Sequence, residues 1–105
     1  MQFERHRPPR NPVAIGIELT DMQSEKHISA HTKDLTLFGC FVETATPFPQ
    51  DTKVRLKMLR GGKQLFAHGR VTYSQPGAGM GIAFVTIEPS SLPVLDAWLA
   101  NLREE

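Results

Sequence analysis

Two short segments of the sequence combine residue types that can recognise a phosphorylated ligand. The first is Glu4-Arg5-His6-Arg7-Pro8-Pro9-Arg10, in which cationic side chains surround a pair of prolines. The second is Asp34-Leu35-Thr36-Leu37-Phe38-Gly39, in which a carboxylate and a hydroxyl lie one residue apart and a glycine follows. Arginine side chains bind phosphate, while a carboxylate beside a hydroxyl can hydrogen-bond to the edge of a purine. The two segments therefore indicate nucleotide recognition rather than catalysis.

The composition is that of one folded domain without a strong overall charge. The chain has 105 residues, of which 40% are hydrophobic and 22% are charged, and its formal net charge is +1. This length suits a single core. A net charge near zero gives no general basic field for long nucleic acid, so an anion site must come from local clustering. The arginines between Arg5 and Arg10 are such a cluster.

The sequence favours a cytoplasmic protein. Cys40 is the single cysteine, so no disulfide can form within the chain, which fits a reducing compartment. The first ten residues contain no apolar run of the kind a signal peptide needs. No apolar stretch approaches the roughly 20 residues that cross a bilayer, so we expect no membrane insertion.

The elements that must position the two segments can be read from residue periodicity. Residues 1–12 contain three prolines and are predicted to form an extended, flexible basic arm. Residues 13–88 are predicted to form a β-barrel, because apolar and polar residues alternate in several stretches separated by turn signals. The Gly61-Gly62 pair predicts a tight hairpin, since both central positions of such a turn take positive φ. Strands are predicted at residues 13–20, 27–32, 38–44, 54–59, 65–74 and 80–87.

The last segment, residues 89–105, changes to a helical pattern. One apolar stripe recurs with helical spacing and predicts an amphipathic helix that packs on the sheet. Ser90 or Ser91 is the expected N-cap, and Pro93 suits the first turn. The residues of the stripe are Leu92, Leu95, Trp98, Leu99 and Leu102. The predicted fold class is therefore all-β, a six-stranded antiparallel barrel with one C-terminal α-helix.

On these motifs the chain resembles the PilZ domain family of bacterial cyclic di-GMP receptor modules. That family combines an N-terminal RxxxR motif with a downstream (D/N)xSxxG motif on a six-stranded barrel. The first motif falls on residues 6–10 and the second on residues 34–39, with His6 in place of the first arginine and Thr36 in place of the serine. Residues 79–84, with the sequence GMGIAF, are similar to a late strand of these barrels.

The resemblance implies a ligand, cyclic di-GMP, and a role for each motif residue. Arg10 would be the main arginine, Arg5 and Arg7 would clamp phosphate, and His6 would substitute weakly for an arginine. Asp34 and Thr36 would read guanine, and Gly39 would allow close approach of the ligand. The implied protein is a non-catalytic signalling adaptor without a cofactor, whose arm closes over the nucleotide and which acts on an effector protein or an attached domain. A homodimer is a further expectation.

Two other functions remain open at this point. Because of His6 and Thr36, the chain could be a degenerate domain of the same fold that has lost nucleotide and acts through protein–protein contacts. It could also be a barrel that binds single-stranded nucleic acid on exposed aromatic residues. The near-zero net charge weakens that second alternative. So does the prediction that four aromatic residues lie in the core: Phe38, Phe41, Phe66 and Phe84.

Metal and nucleophile chemistry have no supporting pattern. His27 and His31 are four residues apart on a predicted strand, and no carboxylate or cysteine completes a ligand set. Cys40 has no evident histidine or acid partner. We therefore expect neither a metal site nor a catalytic site.

Overall fold

Alternation of buried and exposed residues builds seven strands in the computed structural model, which describes residues 10–104. Each long strand turns one set of side chains inward, as the pattern in the sequence requires. The strands are β1 (Asn11–Pro12), β2 (Gly16–Asp21), β3 (His27–Leu35), β4 (Gly39–Glu43), β5 (Lys53–Arg60), β6 (Lys63–Gln75) and β7 (Gly79–Ile87). A 3₁₀ turn (Pro89–Ser91) then leads into helix α1 (Leu92–Glu104).

Six of these strands close into an antiparallel barrel, which confirms the predicted fold. The strand order is β1-β3-β2-β5-β6-β7-β4, and β4 also pairs with β3 to complete the ring. Closure removes the unpaired edges that an open sheet of this length would expose. Strand β1 is an extra element that the periodicity did not predict, and it pairs with β3 alone.

The predicted glycine hairpin is present between β5 and β6. Gly61 and Gly62 have φ angles of 61° and 76°, which a residue with a side chain rarely adopts. A Cβ at either position would meet nothing within 4 Å, so backbone conformation rather than space explains the two glycines. This tight turn fixes the register of β5 on β6, with Arg60 opposite Lys63.

Helix α1 packs its apolar stripe on the barrel, as predicted. The buried part of the stripe begins one turn later than predicted. Leu95, Trp98 and Leu99 are buried, whereas Leu92 is 46% exposed. The predicted N-cap role of the serines is not observed. The buried Ser91 hydroxyl instead accepts a hydrogen bond from the backbone N–H of Phe66 at 2.9 Å, so this serine ties the 3₁₀ turn to β6.

The prediction that four phenylalanines lie in the core is wrong for three of them, because only Phe84 packs against it. Phe41 lies between the buried residues Cys40 and Val42 on β4 and therefore faces outward. Phe66 lies between the buried residues Leu65 and Ala67 on β6, so alternation turns its ring outward, and it is 38% exposed. Phe38 lies in the turn between β3 and β4 and is 62% exposed. Exposed aromatic surface therefore exists on this barrel. The predicted burial of the phenylalanines no longer counts against a ligand that stacks on aromatic rings.

Candidate functional site

An open cleft on the outer face of the barrel brings together the described residues of the two sequence motifs. Its volume is about 210 Å³, and Arg10, Asp34, Thr36 and Gly39 all line it. The remaining motif residues, Arg5, His6 and Arg7, lie outside the described residues. The other lining residues are Phe38, Cys40, Phe41, Thr72, Tyr73, Gly81, Ile82 and Ala83.

A β-bulge aims Asp34 into this cleft. Thr32 pairs with Val42 and Asp34 pairs with Phe41, so Lys33 is an extra residue in β3. Thr32 is buried, and regular alternation would turn Asp34 inward as well, because the two residues are two positions apart. The extra residue reverses the phase. The Asp34 side chain, 15% exposed, therefore faces outward, while Leu35 is buried.

The two oxygens of Asp34 have different surroundings. Oδ1 accepts a hydrogen bond from the backbone N–H of Phe41 at 3.1 Å, which fixes the carboxylate over β4. Oδ2 lies 3.9 Å from Nη1 of Arg10, whose side chain is 67% exposed. That distance is too long for a hydrogen bond, and exposed ion pairs of this kind contribute at most about 1 kcal/mol. Arg10 is thus held loosely beside Asp34 and can reorient toward a ligand at low cost.

Strand β1 places Arg10 at the cleft. Pro12 lies opposite Asp34 and Asn11 opposite Leu35 in the β1–β3 register. The Asn11 side chain also donates a hydrogen bond to the Leu35 carbonyl at 3.1 Å. Because Arg10 directly precedes these two residues, the end of the predicted arm is anchored beside the second motif.

Thr36 organises the turn that joins β3 to β4. Its hydroxyl oxygen accepts hydrogen bonds from the backbone N–H groups of Phe38 and Gly39, at 3.0 and 3.1 Å. The same hydroxyl donates to the Gly39 carbonyl at 3.3 Å. A hydroxyl has one donor and two acceptor positions, so this turn uses all of them. Thr36 can contact a ligand only by exchanging one of these bonds. The bond to the Gly39 carbonyl is the longest and therefore the weakest.

Replacing Thr36 with valine should therefore loosen the turn. Valine has nearly the same shape but no hydroxyl, so two backbone N–H groups lose their partner, and we expect a loss of about 1–2 kcal/mol in the free energy of unfolding. Chemical denaturation of the parent, Thr36→Val and Thr36→Ser measures this. Serine keeps the hydroxyl and should be close to the parent; a valine variant as stable as the serine variant would contradict the assigned role.

Gly39 lies where β4 approaches β7 too closely for a side chain. It pairs with Ala83, and a Cβ at this position would overlap the Ile82 carbonyl oxygen. The glycine is thus explained by strand packing at the cleft wall, in addition to the close ligand approach that the family motif implies.

Cys40 is a buried thiol in the wall of the cleft. Burial, together with the smaller effect of the nearby Asp34 carboxylate, raises the pKa of its thiol to about 12. The thiolate is the reactive form of cysteine, and this environment suppresses it.

Alkylation should therefore distinguish the folded and unfolded states of this protein. We expect Cys40 to resist iodoacetamide at pH 8 in the native protein and to react readily in guanidinium chloride, where its pKa returns to about 8.5. Mass spectrometry over time measures the difference. Native modification at the rate of the unfolded chain would contradict the burial of this thiol.

Three cleft residues were missed by sequence reasoning, which assigned no role to Tyr73 or Gly81 and placed Phe41 in the core. Phe41 pairs with Asp34 on one side and Gly81 on the other, and Gly81 also pairs with Tyr73. With Pro12 opposite Asp34, these residues form one line across five strands, here named the cross-strand row: Pro12, Asp34, Phe41, Gly81 and Tyr73. A signal was available in residues 79–81, because alternate glycines in a strand mark a close approach of other groups.

Among residues 10–104, no group of three or more His, Cys, Asp or Glu side chains is placed to hold a metal ion. The same part of the chain contains no helix with the length and hydrophobicity needed to span a membrane.

The structure is a small β-barrel domain with a cleft on its outer face, and comparison with known proteins gives its family. The family model for the PilZ domain matches residues 2–101, so the chain belongs to the PilZ domain family. The curated proteins include no relative that matches this sequence.

Two solved structures share the fold at low sequence identity. The inhibitor of motility (MotI/DgrA) of Bacillus subtilis superposes with a TM-score of 0.75 and 15% identity, over 96% of this chain and 52% of that one. This chain therefore spans about half the length of that protein. The PilZ domain of CeSA from a cellulose-synthesizing bacterium superposes with a TM-score of 0.70 and 18% identity, over 90% of this chain and 98% of that one.

Proposed function

We propose that this chain is a non-catalytic cyclic di-GMP receptor domain of the cytoplasm, whose ligand binds in the cleft around Asp34. Membership of the PilZ family supports a receptor-type domain. The observation that carries the proposal further is the placement of Asp34, which a β-bulge turns outward and a backbone N–H fixes, with Arg10 beside it.

The chemistry of the cleft suits guanine and phosphate. The N1–H and N2–H groups of guanine are neighbouring donors, and the two oxygens of an ionised carboxylate are acceptors. In the proposal both oxygens of Asp34 meet the guanine edge, because the backbone does not fix Oδ2 and Oδ1 can accept a second hydrogen bond beside that of the Phe41 N–H. Arg10 can then leave Asp34 to bind the N7 and O6 acceptors of guanine, or a phosphate, with its guanidinium fork.

In the proposal the arm supplies the remaining cations. Arg5 and Arg7 bind phosphate and His6 assists, as the arm closes over the ligand. Two phosphates need more than the single cation that the described cleft contains. The proposal therefore assigns the further cations to the arm. The closed arm then presents a changed surface to an effector protein or an attached domain.

Titration calorimetry of the purified chain with cyclic di-GMP tests this function. We expect the parent to bind and Arg10→Ala to bind at least about tenfold more weakly, since charged hydrogen bonds contribute about 1.5–3 kcal/mol. Arg103→Ala is the matched control, because Arg103 is an exposed arginine on helix α1 outside the cleft. It should bind like the parent.

A parent without measurable binding would reject the proposal. The double variant His6→Arg with Thr36→Ser then identifies the reason. Binding gained only in that variant would establish the degenerate alternative, in which the two departures from the family motifs have disabled the site.

A further inference from the structure

A second β-bulge acts on the same cross-strand row as the first. In β6, Val71 pairs with Ile82 and Tyr73 pairs with Gly81, which leaves Thr72 as an extra residue. Val71 is buried, and regular alternation would turn Tyr73 into the core beside it. The bulge instead turns Tyr73 outward, where it is 38% exposed. Both side chains at the ends of the cleft, Asp34 and Tyr73, are thus re-aimed to the outer face by one inserted residue each.

Gly81 lets two aromatic rings meet between these ends. Phe41 and Tyr73 belong to strands on opposite sides of β7, whose backbones are about 10 Å apart. Their ring centroids are nevertheless 6.0 Å apart, with an interplanar angle of 31°. A Cβ on Gly81 would overlap the Tyr73 ring, so the rings can cover this position only because it is glycine. The result is an aromatic floor, formed by Phe41 and Tyr73, in the middle of the cleft.

We propose that this aromatic floor binds one planar base of the ligand by stacking, and that Tyr73 is the contact for the base farther from Asp34. This inference rests on the proposed function. Asp34 and Tyr73 are separated by three strand spacings, about 14 Å, so a base held at Asp34 leaves Tyr73 uncovered. A ligand with two bases fills the row: the first meets the carboxylate and the second lies on the floor.

A purely structural role for Tyr73, covering the backbone at Gly81, makes a different prediction. Leucine at position 73 still covers Gly81 but offers no aromatic face. Stacking is worth about 1–3 kcal/mol per base, so we expect Tyr73→Leu to weaken cyclic di-GMP binding about tenfold or more and Tyr73→Phe to bind like the parent. Phe66→Leu is the matched control, because Phe66 has the same 38% exposure on the same strand and lies outside the cleft.

NMR of the complex provides a readout that does not depend on affinity. The chain has one tyrosine, so its ring protons give a single spin system. We expect upfield shifts of these protons and intermolecular NOEs to a guanine H8 proton.

The inference would be overturned by a Tyr73→Leu variant that binds like the parent, or by a bound ligand without tyrosine contacts, while the proposed function would stand. A parent that does not bind cyclic di-GMP would reject both.

Discussion

Replacing Asp34 with alanine is expected to reduce the affinity for cyclic di-GMP at least about 100-fold. The carboxylate would accept two hydrogen bonds from one guanine, and bonds to a charged group are worth about 1.5–3 kcal/mol each, where 1.4 kcal/mol is a factor of ten. Alanine also leaves the Phe41 N–H without the Oδ1 acceptor that it has at 3.1 Å. Titration calorimetry at constant salt and pH measures the loss.

Two further variants separate charge from structure at this position. Asp34→Asn keeps an acceptor for the Phe41 N–H but turns an NH₂ group toward the guanine donors, so it should fold like the parent and still lose most of the affinity. Glu43→Gln removes an exposed carboxylate from the same strand as Phe41, outside the cleft. This variant should leave the affinity for cyclic di-GMP unchanged. Parent-like affinity in Asp34→Asn would show that the carboxylate does not read the ligand.

Replacing Gly39 with alanine should destabilise the barrel itself. The new Cβ would overlap the Ile82 carbonyl oxygen and lie 3.0 Å from the Ile82 carbonyl carbon, so β4 and β7 must separate where they form the cleft wall. Crowding of this kind costs about 1–3 kcal/mol, which lowers the Tm of a domain of this size by roughly 10 °C. Differential scanning calorimetry provides the measurement.

Gly16 offers the matched control for this substitution. It also lies in a strand, but a Cβ there would meet nothing within 4 Å. Gly16→Ala should therefore leave the Tm unchanged or raise it slightly, because alanine restricts the unfolded chain more than glycine does. Equal effects of the two substitutions would mean that the contact with β7 does not constrain Gly39.

The barrel was predictable because its strands obey local rules. In β5, buried Val54, Leu56 and Met58 alternate with less buried residues, and Gly61-Gly62 requires the turn that follows. The exposure of Phe66 follows from the same alternation, although we predicted that its place on the strand is a core position. The packing of α1 was predictable from its apolar stripe, apart from the exposed Leu92.

The geometry of the cleft could not be predicted in the same way. Alternation in β3 places Asp34 on the same face as the buried Thr32, and only the extra Lys33 reverses this. The bulge at Thr72 has the same effect on Tyr73. A bulge depends on pairing with another strand, so one strand's sequence does not reveal it. Strand β1, with two residues, is too short to show any period.

NMR mapping of the binding surface tests the account most directly. Backbone amide shifts of the labelled chain would be followed during titration with cyclic di-GMP. We predict saturable changes along the cross-strand row and in the turn from Thr36 to Gly39, with the hairpin at Gly61-Gly62 unaffected. A spectrum that stays unchanged at high ligand concentration, or changes confined to surfaces away from the cleft, would contradict the claim that this barrel binds cyclic di-GMP at Asp34.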